Sequence, residues 1–347
     1  NGHFGYARMA SMIQNSYGAD QTGLIWGYRF VSGGNATPIN ASDAQSFLAL
    51  PEAERAGEFL WLHFSLSHSS SMPWLRKNTK LPDEYYETLQ GTAGSTRVEQ
   101  DGDSLIAVVN DVQFDFTLDS SSIASTSIAV DKCTFISARL KPLRSLDQLR
   151  TAVRAGASFR STIELLAHLL QDQADVLVNI LRTSTTRVDQ IEDQLLSNRT
   201  NAKRSELGNL RRVLVRLQRL LSPEPAALFR LLNRPPSWLT DFDTRELKEA
   251  AEEFSVAVGD SAALAERVKL LQEELAASVN EQTNRTLTVL TIVTVLALPI
   301  NLTSGLFGMN VGGIPFSDNT LGFEIIASIL IVTTLSLAYL VFLRNKD

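Results

Sequence analysis

Thr288, Thr291, Leu298, Asn301, Gly305 and Gly308 follow one another at spacings of three, four or seven residues, with Thr294 beside them. The stretch that holds them carries no charged residue from Thr286 to Ser317. On a helix these small and hydroxyl-bearing side chains share one face. An amide such as Asn301 turned to lipid would leave its polar groups unsatisfied, so the face is expected to look toward neighbouring helices or water. Two readings stay open for it: close helix packing through small residues, and the lining of a pore. The stripe runs out at Gly308, Met309 and Asn310. At the end of an apolar helix, unpaired carbonyls and an amide oxygen from each of several chains would form an oxygen-lined ring of partial negative charge. Such a ring suits a hydrated divalent cation. His, Cys and Asp are absent from Leu287 to Phe307 and from Ile325 to Leu343, so a dehydrated zinc ion would find none of its preferred ligands there.

Elsewhere the chemistry-bearing residues are dispersed. His168, Asp172 and Asp175 fall at helical spacing and offer a weak candidate for a regulatory metal site, against the plainer reading of a polar helix face. His63 and His68 are five apart, a spacing that points extended residues to opposite faces. Asp241, Asp243, Glu246, Glu249, Glu252 and Glu253 form an acidic run, and Arg204, Arg211, Arg212, Arg216 and Arg219 a basic one; both read first as solvated helix faces. In an oligomer the acidic run would also raise the local cation concentration. The single Cys133 excludes a disulfide scaffold and reads as a packing thiol. No Gly-rich phosphate loop, metal-ligand spacing or nucleophile triad is present, which points away from an enzyme and from any cofactor.

The elements that would position the stripe are two bilayer crossings. Leu287 to Phe307 gives about 21 apolar residues, roughly 31 Å as helix, and Ile325 to Leu343 is a second span. Arg285 precedes the first, Arg344 and Lys346 follow the second, and the loop between has no positive charge. By the positive-inside rule both termini are expected in the cytoplasm. From Thr244 a helical pattern of Leu247, Ala251, Phe254, Val258, Leu264, Val268, Leu271, Leu275 and Val279 runs to the membrane with no Pro before Pro299. It predicts a stalk continuous with the first crossing, about 64 residues and nearly 100 Å long, whose stripe would support association between chains. Gly259 is its one soft point.

Upstream, GLIWGYRFV, EFLWLHFSL, SLIAVVNDVQFDF and SIAVDKCTFISA read as strands, with MPWLRKN and PDEYYETL as helices between them. From about Ser145 the texture becomes helical: a long helix ends near Ser197, and a second covers about Asn201 to Leu221. The expected class is α+β, divided as an α/β domain over 1–143, a helical region over 144–243, a stalk over 244–285, a first crossing over 286–310, a loop over 311–320, a second crossing over 321–343 and a basic tail over 344–347. The first residues, NGHFGYARMAS, carry no apolar secretory core.

Averages conceal this division. The 347 residues carry a formal charge of −6, which argues against a nucleic-acid binder, and 44% apolar residues argue against disorder. Yet only six of the 70 charged residues, Arg285, Asp318, Glu324, Arg344, Lys346 and Asp347, lie in the last 64 positions.

Gly308-Met309-Asn310, placed at the end of the first of two C-terminal crossings behind a long stalk, resembles the signature of the CorA family of divalent metal-ion transporters. The continuation Val311-Gly312-Gly313-Ile314-Pro315 is similar to the ZntB zinc-transporter branch, and WLHF at Trp61 to Phe64 belongs to the same likeness. The resemblance implies a funnel-shaped homopentamer in the cell inner membrane, with the first crossing lining the pore. It places Gly308, Met309 and Asn310 in an outer ion-recognition ring, with Asn301, Leu298, Thr294, Thr291 and Leu287 further along the pore and Gly312, Gly313 and Asp318 in the outer loop. Zinc is the implied cargo, with cobalt, nickel, cadmium and magnesium as further ions, and proton-coupled uptake is implied for this branch. The alternatives are a CorA-type magnesium, cobalt or nickel channel and, in another class, a membrane-anchored sensor or scaffold without transport.

Overall fold

The computed structural model describes residues 18–31, 35–55, 57–90, 97–113, 123–196, 204–309, 313, 315 and 320–344. The chain forms two compact units, residues 1–272 and 273–347.

The first unit is built on a seven-stranded mixed sheet. Its strands are β1 (Leu24–Phe30), β2 (Thr37–Ile39), β3 (Phe59–Ser65), β4 (Arg97–Asp101), β5 (Ser104–Val112), β6 (Ile123–Val130) and β7 (Thr134–Arg139). They lie in the order β2-β1-β3-β7-β6-β5-β4, and β3 with β7 is the parallel pair, Leu60 opposite Thr134 through Ser65 opposite Arg139. Central β3 reads FLWLHFS and every residue in it is buried, as a strand covered on both faces requires.

Alternation then assigns the faces. Trp26, Tyr28, Phe30, Phe59, Trp61 and Phe135 enter one core, and Leu60, Leu62, Phe64, Ile136 and Ala138 enter the other. A register shift between Leu24 and Trp26 puts these two residues of like parity into different cores. Helices α1 (Ala41–Ala49), α2 (Ser71–Asn78) and α3 (Asp83–Gln90) supply Phe47, Leu75 and Tyr85 to the second core. The first core is closed by α4 (Arg144–Arg154), α5 (Thr162–Leu196), α7 (Pro223–Leu232) and the start of α8 (Asp241–Phe307) through Leu149, Leu166, Leu228 and Leu247. Helix α6 (Arg204–Leu221) buries Leu207, Leu210, Leu214 and Leu217.

Three sequence readings change. SIAVDKCTFISA is two strands, because Asp131 Oδ1 accepts the N–H of Cys133 and of Thr134, each at 2.7 Å, and turns the chain between β6 and β7. Cys133 therefore sits, buried, in that turn. The stalk stripe from Leu247 to Leu271 is buried inside its own chain, so it is no seam between copies; Arg267 pairs with Asp189 at 2.8 Å and with Glu192, and Arg211 donates to Gln272 at 3.1 Å, binding α8 to α5 and α6. Part of the acidic run starts a helix: Asp243 and Thr240 cap α8 reciprocally, with Asp243 N–H to Thr240 Oγ1 at 3.1 Å and Thr240 N–H to Asp243 Oδ2 at 3.2 Å.

The second unit holds the rest of α8 and helix α9 (Gly322–Arg344). Both pass the length and composition required to cross a bilayer, and neither apolar window is buried. Helix α8 runs through Gly259 and Pro299 without interruption.

Candidate ion pathway

Leu287, Thr291, Thr294, Leu298 and Asn301 are all exposed in the single chain, whereas Ile292, Val295, Leu296, Pro299 and Thr303 are half-covered. At 100° per residue the half-covered side chains lie on another face of α8. One chain thus covers an apolar face and leaves the polar stripe open, which lipid alone does not satisfy.

The hydroxyls of this segment face inward at one end. Thr288 donates to Asn284 O at 2.9 Å, Thr291 to Leu287 O at 2.8 Å, Thr294 to Leu290 O at 2.8 Å and Thr303 to Pro299 O at 2.7 Å. Each hydroxyl proton is held by the preceding turn, so what the oxygen offers outward is lone pairs. Pro299 brings no N–H, and the carbonyl of Val295 goes without its helical donor. The threonine hydroxyls of the stripe thus offer acceptor lone pairs, Asn301 adds an amide that both donates and accepts, and the face carries no formal charge.

The helix closes at Phe307. Gly308 N–H reaches Ser304 O at 2.9 Å, and Met309 N–H reaches Leu306 O at a long 3.5 Å. A Cβ on residue 308 would come within 2.9 Å of that same Ser304 oxygen, so any other residue there requires the backbone to shift. The helix ends with carbonyls, the negative end of its dipole, directed past its last turn. Gly313 has φ +91° and is exposed, a conformation that favours glycine. Asn310, Gly312 and Asp318 lie outside the described residues.

In the first unit, His168, Asp172 and Asp175 share one side of α5, yet no group of three His, Cys, Asp or Glu side chains that could hold a metal ion occurs among the described residues. The edge of His168 packs on Phe159, with ring centroids 5.4 Å apart, and burial lowers its pKa. Burial, then the charges of Asp175 and Asp111, push Asp172 up to about 7. His63 is fully buried, stacked on Trp26 at 4.0 Å with Nδ1 2.7 Å from Ser137 Oγ, a hydroxyl that also accepts from Trp61 Nε1 at 3.0 Å. Burial, with the charges of Arg139 and Arg150, holds it well below the usual histidine range, so it is a neutral core residue. His68 lies beyond β3 and its Nδ1 accepts the N–H of Ser70 at 3.3 Å.

Sequence reasoning missed Asp111 and Glu224, two fully buried carboxyls. Their signals were faint: a polar Asn-Asp pair inside the apolar run SLIAVVNDV, and a glutamate within PEP, where the prolines read only as a breaker.

The chain thus combines a large α/β unit with two helices long and apolar enough to cross a membrane, the first of them carrying a neutral oxygen stripe. The CorA-like Mg2+ transporter protein family matches residues 56–344, and the chain belongs to it. It is 28% identical over 331 residues to a divalent cation transporter, CmaX, of Pseudomonas aeruginosa, covering 94% of this chain and 97% of the relative. It is 24% identical over 311 residues to a zinc transport protein, ZntB, of Pectobacterium carotovorum subsp. carotovorum, covering 90% and 92%. The solved structure of full-length CmaX superposes with a TM-score of 0.78 at 26% identity, over 95% of this chain and 99% of that one. The mixed α/β fold with its long helix and C-terminal apolar helix is therefore shared, and the family is one of transporters rather than enzymes.

Proposed function

We propose that the chain carries hydrated divalent cations across the inner membrane, with zinc entering the cytoplasm as the principal cargo, through a homopentamer whose pore is lined by α8. One observation carries this reading: a polar face of Thr291, Thr294 and Asn301 that its own chain leaves uncovered and that ends in carbonyls at Gly308. Two helices per chain cannot enclose a pore, so several copies must surround an axis. With no His, Cys or Asp in either span, the cation keeps its water and is stabilised by neutral oxygen. The Gly312-Gly313-Ile314-Pro315 loop and the ZntB relatives support zinc. Gly308, Met309 and Asn310 form the outer ring, with Asp318 in the outer loop, and Arg285, Arg344 and Lys346 hold both termini on the cytoplasmic side. Uptake runs with the membrane potential, and an imposed proton gradient accelerates it.

The experiment is flux into proteoliposomes, zinc against magnesium, with and without a pH gradient. Zinc entry accelerated by the gradient is the expected result. Magnesium entry with zinc excluded overturns the cargo, an inert gradient overturns coupling, and no divalent flux leaves the scaffold reading.

A further inference from the structure

Among the described residues strand β4 pairs with β5 as far as Arg97 opposite Val108, and beyond that the main-chain groups of β5 find partners of another kind. At Asn110 side chains supply them. Its N–H donates to Glu224 Oε1 of α7 at 2.7 Å, its C=O accepts from Gln173 Nε2 of α5 at 2.9 Å, and its own Nδ2 donates to Leu220 O of α6 at 3.3 Å. Asp111, next along, accepts the N–H of Val112 at 2.7 Å, and its other oxygen accepts the N–H of Ser145 at 2.9 Å and the Ser145 hydroxyl, holding the first turn of α4. Two consecutive residues thus tie four helices to the end of one strand.

Donors run short at this junction. Glu224 Oε2 and Gln173 Oε1 are buried acceptors without a hydrogen-bond partner, on side chains 1% and 3% exposed. The cavity against Glu224 is otherwise walled by apolar groups such as Val98, Leu105, Val109, Leu166 and Leu228. A carboxylate there would be a buried charge without a counter-ion, whereas a carboxylic acid carries no charge and turns one acceptor into a donor.

We propose that Glu224 is the proton-operated clasp of the first unit: protonated, it fastens α7 to the open end of β5, and its ionisation releases that contact. Among the described residues the charged groups that act on the pair are carboxylates: Asp111 of β5 faces Glu224, Asp147 of α4, itself paired with Arg139 at 3.5 Å, acts on Asp111, and Asp172 of α5 is in turn acted on by Asp111 and by Asp175. Burial first, then Asp111, drives the Glu224 carboxyl well above its ordinary range, against the Asn110 hydrogen bond. Burial raises Asp111 to about 6, opposed by its bonds from Ser145 and Val112. The clasp is a regulatory device apart from the ion path, and it is read out without flux.

The test is hydrogen exchange of the full-length protein in nanodiscs between pH 6 and 8, corrected for the intrinsic rate. Peptides over 105–112 and 223–232 are expected to lose about tenfold protection per pH unit above the onset, as release of one proton requires, while those over 59–65 and 134–139 stay level. Glu224→Gln, which keeps the Asn110 acceptor and carries no charge, is expected to hold the low-pH protection throughout. Flat wild-type protection, the same slope in Glu224→Gln, or an equal slope in all four peptides overturns the clasp. If Glu224→Gln does not fold, Asp111→Asn decides: removing the facing charge makes the loss level off at lower pH with a smaller total fall, and an unchanged profile overturns the proposal.

Discussion

In the first unit Trp61, Phe64, Phe135 and Phe254 are fully buried, and even His63, Asp111 and Glu224 have been drawn inside. In the second, Leu287, Leu298, Ile331 and Leu335 each stand more than half exposed in the single chain. The first unit closes its core with its own helices and gives particular partners to several of its buried polar groups, Ser145 to Asp111, Ser137 to His63 and Thr240 to Asp243, while Glu224 Oε2 and Gln173 Oε1 go without. The second presents an apolar surface that water does not tolerate beside a hydroxyl face that lipid does not satisfy. One is complete as a chain. The other leaves its apolar surface and its polar stripe uncovered in the single chain, so substitutions in the two should fail by different observables.

Trp61→Ala tests the closed unit and carries the largest expected effect, about 3–5 kcal/mol lost from its unfolding free energy through the cavity left behind; chemical denaturation followed by fluorescence measures it. A loss under about 1 kcal/mol would mean that the core around Trp61 is loosely packed. Asn310→Ala tests the open unit: divalent flux is expected to fall at least about tenfold, the loss of about 1.4 kcal/mol of ion stabilisation, with thermal stability and oligomer size unchanged. Equal flux in that variant removes the ring. The third prediction uses pH. Because Asp111 is raised to about 6 when folded, the native state binds more protons than the unfolded chain between the ordinary carboxylate range and that value. Stability of the first unit is therefore highest below pH 4 as far as this group is concerned, falls by on the order of 2–3 kcal/mol as pH climbs to 6, and then levels for Asp111. Asp111→Asn should flatten that slope in a pH series of thermal melts. Thr291→Val, which keeps shape and removes the oxygen, is expected to slow flux several-fold and leave the melt unchanged. Smallest of all, Lys248→Ala breaks an exposed 3.8 Å contact with Glu252 and should move stability by less than about 0.5 kcal/mol.

How much of the molecule its sequence discloses depends on the range of the forces involved. Apolar runs and charge gaps are local and strong, so the two apolar helices, the long helices and β1, β3 and β5 were legible in outline. Short β2 and β4 were not: TPI and RVEQD have little apolar content and take their place as edge strands from β1 and β5. The stalk stripe was legible as a stripe but not as to its partner, since a helix pattern states that a face is buried and not by what. The Asn110 junction was invisible because its members are 63 and 114 residues apart in sequence, and nothing in the pair Asn-Asp announces a glutamate so far downstream. In the proposed ion pathway, the residue types and their spacing were readable; the direction of each threonine hydroxyl was not, for it depends on the carbonyl one turn earlier.

That direction has an electrical consequence. A hydroxyl free to rotate would serve chloride as readily as a cation, by swinging its proton toward the ion. Thr288, Thr291 and Thr294 have each committed that proton to their own helix, so along the threonines of the proposed pore a negative ion meets lone pairs, and the Asn301 amide is the donor left to it on this stripe. The threonines of the proposed wall thus favour cations over anions without carrying any charge, and salt has no fixed ion there to screen.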